Sequence, residues 1–316
     1  MPDTKIFVCP MSKNIVDAVL ELNSDQIGLI PTRRQIDYND GYVNGWRTKE
    51  FFEYVRAKSN IVIERDHGGG NQGNALDTGL ESFRIDSKYF DIIHIDPWKT
   101  NKSFLDGVDV TTNFISMLHH LNPKLKFEIG TEEDIKILTR FDLEGILLTL
   151  KKRLTHDAFE SIEYVVVQSG TSLDLTKKQN IGLLNEKKFI QMVNMAQSYG
   201  KKTKEHNGDY LTKEGYEFRF SNGLSAINIG PEIIQLEIST YLEYMSEDEI
   251  NKFYDICLAS GKWQRWYSGE ITLLEKPQLI EICGHYNLNN FELPKIDDII
   301  KDRIKNKLIN LLEYAR

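Results

Sequence analysis

Ile61-Val62-Ile63-Glu64-Arg65-Asp66-His67-Gly68-Gly69-Gly70-Asn71 is the stretch whose reading decides the fold. An apolar run of strand length leads directly into an acid, an imidazole and three glycines. The imidazole can bind a divalent cation through a ring nitrogen, and the neighbouring Asp66 can move protons. The glycines let the backbone turn sharply and come close to a ligand. Such a set belongs at the C-terminal end of a buried parallel strand, where α/β barrels carry their active sites.

Working outward, short β-rich runs alternate with longer segments of helical periodicity. Strands are predicted at Lys5–Cys9, Gln26–Pro31, Asn60–Glu64, Asp91–Ile95, Leu125–Ile129, Glu163–Gln168, Lys201–Glu205 and Ala226–Ile229. Leu143, Ile146, Leu147 and Leu150 repeat at three- and four-residue steps, so that stretch is read as helix. Polar residues gather at the strand ends: Ser12, then Arg33, Arg34 and Gln35, then Asp66 and His67, then Asp96, Glu128, Gln168, His206 and Asn228. An open sheet would not bring these ends around one centre, whereas a closed (β/α)8 TIM barrel would. The barrel is expected over residues 1–245, with a helical C-terminal extension over 246–316 packed on it. Ser246-Glu247-Asp248-Glu249 reads as a helix start. The aromatic-rich Gly261–Tyr267 stretch is read as ordinary packing, with a cover for the barrel or a neighbouring subunit as the other reading.

Bulk properties narrow the function. A length of 316 residues and 41% hydrophobic content support a sizeable core. The net charge of -8 argues against a general nucleic-acid binder, which needs a basic face. Three cysteines without metal-ligand spacing point to a reducing compartment. No apolar run reaches membrane-spanning length and no leader pattern opens the chain, so a cytoplasmic protein is expected. A homo-oligomer acting on a small carbohydrate, away from nucleic acid and membrane, is the expected setting.

Four stretches carry a family resemblance. They are Thr32-Arg33-Arg34-Gln35 with Gly41-Tyr42 and Gly45; Asp66-His67 with Gly69 and Asn71; Ile129-Gly130-Thr131-Glu132; and Glu205-His206-Asn207-Gly208-Asp209-Tyr210 followed by Ile229-Gly230-Pro231. Their order and strand-end placement resemble the class II, metal-dependent ketose-bisphosphate aldolase superfamily. The nearest likeness is to the tagatose-bisphosphate aldolase non-catalytic subunit family and the tagaturonate epimerases related to it. The resemblance implies His67 and His206 as metal ligands, Asp66 as an acid/base, Asn228 as a substrate contact and Glu128 as a strand-borne carboxylate near the metal. Two departures stand out. Gln168-Ser169-Gly170 replaces a third His after the sixth strand, and Asp209 stands in the turn where related aldolases present a small hydroxyl to phosphate.

The residues themselves suggest a coherent chemistry. A divalent metal, zinc foremost, held by His67, His206 and Glu128 would stabilise an enediolate. Asp66 and Glu132 are the candidate catalytic carboxylates. Arg33, Arg34, Gln35, Asn71, Gln168, Asp209 and Asn228 are the candidate substrate contacts, with an arginine holding the anionic end. His94, His119, His120, His156 and His285 lack comparable context and are read as structural or exposed. The expected function is a metal-dependent aldolase or epimerase acting on a ketose derivative, a sugar phosphate or uronate. The alternative is a catalytically silent subunit that stabilises a paralogous tagatose-bisphosphate-type aldolase.

Overall fold

The computed structural model describes residues 3–74, 76–100 and 103–316. Among the described residues ten strands form: β1 (Ile6–Val8), β2 (Ile27–Leu29), β3 (Glu64–Gly68), β4 (Ile92–Ile95), β5 (Lys126–Ile129), β6 (Ile162–Val166), β7 (Thr171–Asp174), β8 (Gln179–Gly182), β9 (Lys202–Glu205) and β10 (Ala226–Ile229). Eight of them form one parallel sheet in the order β2-β1-β10-β9-β6-β5-β4-β3. The two end strands meet through parallel bridges Leu29–Ile63 and Thr32–Asp66. The Asp66 N–H donates to the Pro31 carbonyl at 3.0 Å and the Leu29 N–H to the Val62 carbonyl at 2.9 Å. The sheet therefore closes, and helices between the strands complete a (β/α)8 barrel.

Strand side chains alternate between two faces. Ile6, Val8, Ile93, Ile95, Phe127, Ile129, Val165, Ile227 and Ile229 belong to the large core shared with the helices. Phe7, Ile30, Val62, Ile92, Tyr164 and Ala226 form a separate small cluster in the barrel interior. Two residues further along the same faces lie Glu64, His94 and Asn228, all buried. The interior thus changes from apolar to polar toward the C-terminal ends of the strands.

One predicted strand is shifted. The sequence places it at Asn60–Glu64, but β3 runs from Glu64 to Gly68, so Asp66 and His67 lie within the strand rather than after it. The apolar run marks where the chain enters the barrel, while pairing continues through charged residues that a polar interior accepts. β7 and β8, an antiparallel hairpin after β6, are absent from the sequence reading. Their Thr-Ser-Leu-Asp and Gln-Asn-Ile-Gly sequences carry too little apolar alternation to announce strands.

Beyond β10, helices span Pro231–Tyr244, Glu247–Ser260, Lys276–Cys283 and Asp297–Tyr314. Ser246 and Glu249 form a capping box at the second, at the place the sequence marks as a helix start. The last packs against the helices Lys13–Leu22, Lys213–Ser221 and Pro231–Tyr244. Arg303 there pairs with Glu243 at 2.7 Å.

Arg65, on the outward face of β3, is fully buried against Asp86 of the helix Leu80–Tyr89, with Nε 2.8 Å from a carboxylate oxygen. It also donates to the carbonyls of Pro31 and Ile36, at 2.9 and 2.8 Å, which ties the loop after β2 to β3. Removing the acid would leave a guanidinium buried without its counter-charge. Asp86→Ala is expected to lower unfolding free energy by about 3–5 kcal/mol, read by urea denaturation. A loss within ~0.5 kcal/mol would show that the pair contributes little.

Candidate metal centre and substrate cavity

β3 solves a spacing problem. On a regular strand, Asp66 and His67 would point to opposite faces. Here Arg65 pairs with Ile93 and Gly68 with Ile95, so three steps on β3 lie opposite two on β4. The extra residue is a bulge, and His67 within it has a left-handed backbone with φ 42°. Both neighbours consequently face the barrel centre.

Four buried residues converge there: Asp66, His67, His94 on β4, and His206 immediately after β9. One ligand atom from each lies within 4.8 Å of the other three. Asp66 Oδ1 is 3.7 Å from His67 Nε2, 3.7 Å from His94 Nδ1 and 3.9 Å from His206 Nδ1. It is buried and has no hydrogen-bond partner.

The outer nitrogen of every ring is occupied. His67 Nδ1 is 2.8 Å from Asp96 Oδ2, His94 Nε2 is 3.0 Å from the Gly130 carbonyl, and His206 Nε2 is 2.7 Å from Glu128 Oε1. A carbonyl or carboxylate oxygen accepts, so each outer nitrogen is the one that carries the proton. The inner nitrogens face one region, and that of His94 also accepts from the His67 backbone N–H at 3.3 Å. This is how metal-binding histidines are held: an acceptor behind the ring fixes the tautomer and its orientation. The group therefore suits a divalent cation on donor chemistry as well as on distance.

Charge is organised around the group. Burial opposes ionisation of Asp66, but the His67, His94 and His206 rings outweigh it and hold the carboxyl well below its usual range. Burial opposes protonation of His67, yet Asp66, Glu132 and Asp96 raise it to about 9. His94 is raised in the same way, with Glu128 and Asp66 overcoming burial. Deeper in the barrel, Lys204 Nζ lies 2.7 Å from Glu128 Oε2 and also contacts Glu64. The ammonium sits over the Phe7 ring, 3.8 Å from its centroid. Burial raises Glu64, whereas Lys204 and His94 overcome burial at Glu128 and keep it ionised.

A cavity of about 450 Å³ opens above the group. Asp66, His67 and His206 form part of its wall, with Glu132 and Asn228 beside them. Glu132 Oε1 is 3.5 Å from His67 Nε2. Asn228 is buried with neither side-chain oxygen nor nitrogen partnered. Arg34, Arg265, Trp266 and Tyr286 line the same space, as do Leu173 and Leu175 of the hairpin region. Burial and the proximity of Arg265 lower the pKa of Arg34. Among the described residues neither arginine forms an ion pair with a carboxylate.

The remaining sequence candidates fall in several places. Arg33 faces away from the cavity, with its guanidinium 2.8 Å from Asp37, 2.6 Å from Asp77 and 2.7 Å from the Gly69 carbonyl. It holds the glycine turn rather than presenting charge to a ligand. Asn71 belongs to that turn, accepting from the Asp77 N–H at 2.9 Å. Gln168 is spent on the Leu138 N–H and the Thr131 and Lys136 carbonyls. Glu128 stands behind His206 rather than beside its inner nitrogen, and it is outside the convergent group. Gln35 lines the cavity and accepts from the Thr32 N–H at 2.8 Å. Asp209 also lines it, but accepts from the Gly230 and Glu232 N–H groups at 2.9 and 2.7 Å. It thereby caps the helix Pro231–Tyr244, and burial pushes it up to about 7.

His94 and Arg265 were missed. The missing third imidazole lies on β4, in an Ile-Ile-His-Ile run that reads as core. Its inward parity with Ile92, followed by Asp96, was the available signal. Arg265 lies in the Gly261–Tyr267 stretch, and with Trp266 it lines the cavity, as the reading of that stretch as a cover for the barrel has it and ordinary packing does not.

No known family model matches the sequence, and no curated protein is significantly similar to it. Solved structures match over nearly the whole chain. A probable tagatose 6 phosphate kinase from Sinorhizobium meliloti 1021 superposes with a TM-score of 0.69 at 14% identity, covering 98% of this chain and 87% of that one. Fructuronate-tagaturonate epimerase UxaE from Cohnella laeviribosi gives 0.63 at 8% identity, covering 99% and 81%. Fructose-bisphosphate aldolase from Campylobacter jejuni gives 0.60 at 12% identity, covering 99% and 89%. The chain thus shares its barrel with aldolase and epimerase structures, in keeping with the resemblance carried by its strand-end motifs.

Proposed function

We propose that this protein is a metal-dependent enzyme acting on a ketose derivative, a sugar phosphate or uronate, by aldol cleavage or epimerisation through an enediolate. The observation that carries the reading is the convergence of the inner nitrogens of three imidazoles with Asp66 Oδ1, each ring fixed from behind. His67, His94 and His206 would hold the ion, and zinc suits such a nitrogen set. A divalent cation there supplies Lewis acidity toward a substrate carbonyl and the adjacent oxygen.

The chain's own groups do the rest. Asp66 and Glu132 flank His67 Nε2 at 3.7 and 3.5 Å, one deeply buried and one nearer the open cavity. In this reading they take and return the proton at the carbon next to the carbonyl. Asn228, with a free donor and a free acceptor, orients a hydroxyl or carbonyl. Arg34 and Arg265 hold the anionic end, because no carboxylate among the described residues neutralises either. Asp209 already occupies the helix terminus that would otherwise attract an anion. We also take residues 1–245 as the barrel and 246–316 as an extension that supplies part of the cavity wall. No helix among the described residues is long and apolar enough to cross a membrane.

Protein purified without chelator is expected to retain one divalent ion per chain. His67→Ala, His94→Ala and His206→Ala should each lose most of it while remaining folded. Unchanged metal content in all three would remove the centre, and a wild-type chain without metal would favour the silent-subunit reading.

Metal affinity should also depend on pH. His67 titrates near 9, so at neutral pH the metal-free ring carries a proton that the ion must displace. Affinity is expected to rise from about pH 6 toward pH 9, with proton release visible by calorimetry in buffers of different ionisation enthalpy. A flat profile over that range would contradict the assignment.

Asp66→Asn should keep the metal but lower the rate of solvent-deuterium exchange into a ketose substrate by about 10²–10⁴. The measurement needs a panel of phosphorylated and uronate ketoses with metal added. Loss of the ion together with activity would instead make Asp66 a ligand.

A further inference from the structure

A second cavity, also about 450 Å³, lies beside the first. It is bounded by the loop after β1, the helices Lys13–Leu22 and Pro231–Tyr244, and the chain from His285 to Lys301. Met11 and Tyr42 contribute to both cavities. Its wall is polar, and two buried side chains point to a ligand site.

His285 is 3% exposed, and neither ring nitrogen has a hydrogen-bond partner. Its ring lies 4.0 Å from that of Tyr286 and 5.6 Å from that of Tyr42, centroid to centroid. An imidazole left unpaired on both sides is costly unless something else supplies partners.

Glu237 is 1% exposed and has no cationic partner among the described residues. Its contacts are the Ser12 hydroxyl and the Asn14 amide, the latter at 3.0 Å. The same amide nitrogen is 3.0 Å from the Tyr241 hydroxyl and 3.2 Å from Asp297. The Tyr241 hydroxyl in turn donates to Asp297 at 3.4 Å.

The nearby cations are already engaged. Lys13 pairs with Asp17, and Lys301 pairs with Glu21 and Asp298 at 2.8 and 2.9 Å. The surplus charge is negative, from buried Glu237 and from Asp297 at the exposed rim. An anion would be repelled. Tyr42 and Tyr241 add aromatic surface, which favours an ammonium. Among the described residues, the four-residue group around Asp66 is the only set placed to hold a metal ion, so a bare metal does not fit this cavity.

We propose that this cavity is a second ligand site, specific for a small primary amine or amino alcohol. Its ammonium sits against Glu237, and its remaining polar atoms supply partners to His285. The volume suits a small molecule rather than a polypeptide. The inference stands apart from the metal centre and does not need it.

The test is calorimetric titration of the intact chain with ethanolamine, using glycerol as the neutral probe. Burial pushes Glu237 up to about 7, so titration near pH 8 keeps it ionised while an aliphatic amine is still charged. Saturable binding of ethanolamine and none of glycerol is expected. Glu237→Gln and His285→Phe should each weaken ethanolamine by at least about tenfold. His67→Ala should leave that affinity unchanged, which separates this site from the first. Thermal melting checks that the variants fold, and Glu237→Gln decides if His285→Phe does not. No saturable binding, equal binding of glycerol, or full affinity in a folded variant overturns the proposal.

Discussion

Lys204 is the charge around which the barrel interior is arranged. It is fully buried between Glu64 and Glu128, carboxylates from β3 and β5, with Phe7 and Tyr164 rings beside its ammonium. Glu128 could not stay ionised at such depth without a cation, and the lysine could not stay charged without a carboxylate. Glu128 uses one oxygen for Lys204 and the other for His206. The direction in which His206 presents its lone pair therefore depends on an ion pair one layer below. An apolar barrel filling would pack as well, but it would leave that imidazole without a fixed tautomer.

The same constraint explains which parts of the molecule were legible. Strands β1, β2, β4, β5, β6 and β10 announce themselves by their apolar, mostly β-branched or aromatic residues, whereas β9, Lys-Thr-Lys-Glu, has none. Asp66 and His67 stand out because acid and imidazole adjoin a glycine turn. His94 does not, since one histidine in an isoleucine strand has the composition of a core residue. Its place in the group comes from lying beside residues of β3 and the end of β9, a relation between distant segments. The Arg33–Arg34 pair shows the converse. Two identical side chains in sequence have opposite fates, one folded back on Asp37 and Asp77, the other on the cavity wall. Local sequence contains the acids that claim Arg33 but not the geometry that chooses between the two.

The C-terminal segment changes how the barrel mouth should be viewed. Arg265, Trp266 and Tyr286 complete the wall above the strand ends. The hairpin joins them from another side: Lys178 pairs with Glu281 at 2.7 Å, and Asn180 donates to the carbonyls of Asn207 and Asp209. The cavity is therefore enclosed by two elements that the barrel strands do not supply. Strand ends provide the fixed polar groups, and these additions set the shape around them.

The bulge in β3 has a further consequence, for what the position can accept over evolutionary time. Residue 67 must adopt a left-handed backbone to stand beside Asp66 on one face. Most side chains resist that conformation, but histidine is among the few besides glycine that are enriched in it. Conformation and chemistry thus ask for the same residue, which leaves the position few neighbours in sequence space. Glycine would keep the path of the chain and lose the imidazole, whereas a β-branched residue would lose both. The most exposed step for divergence in this barrel is accordingly a backbone angle as much as a ligand.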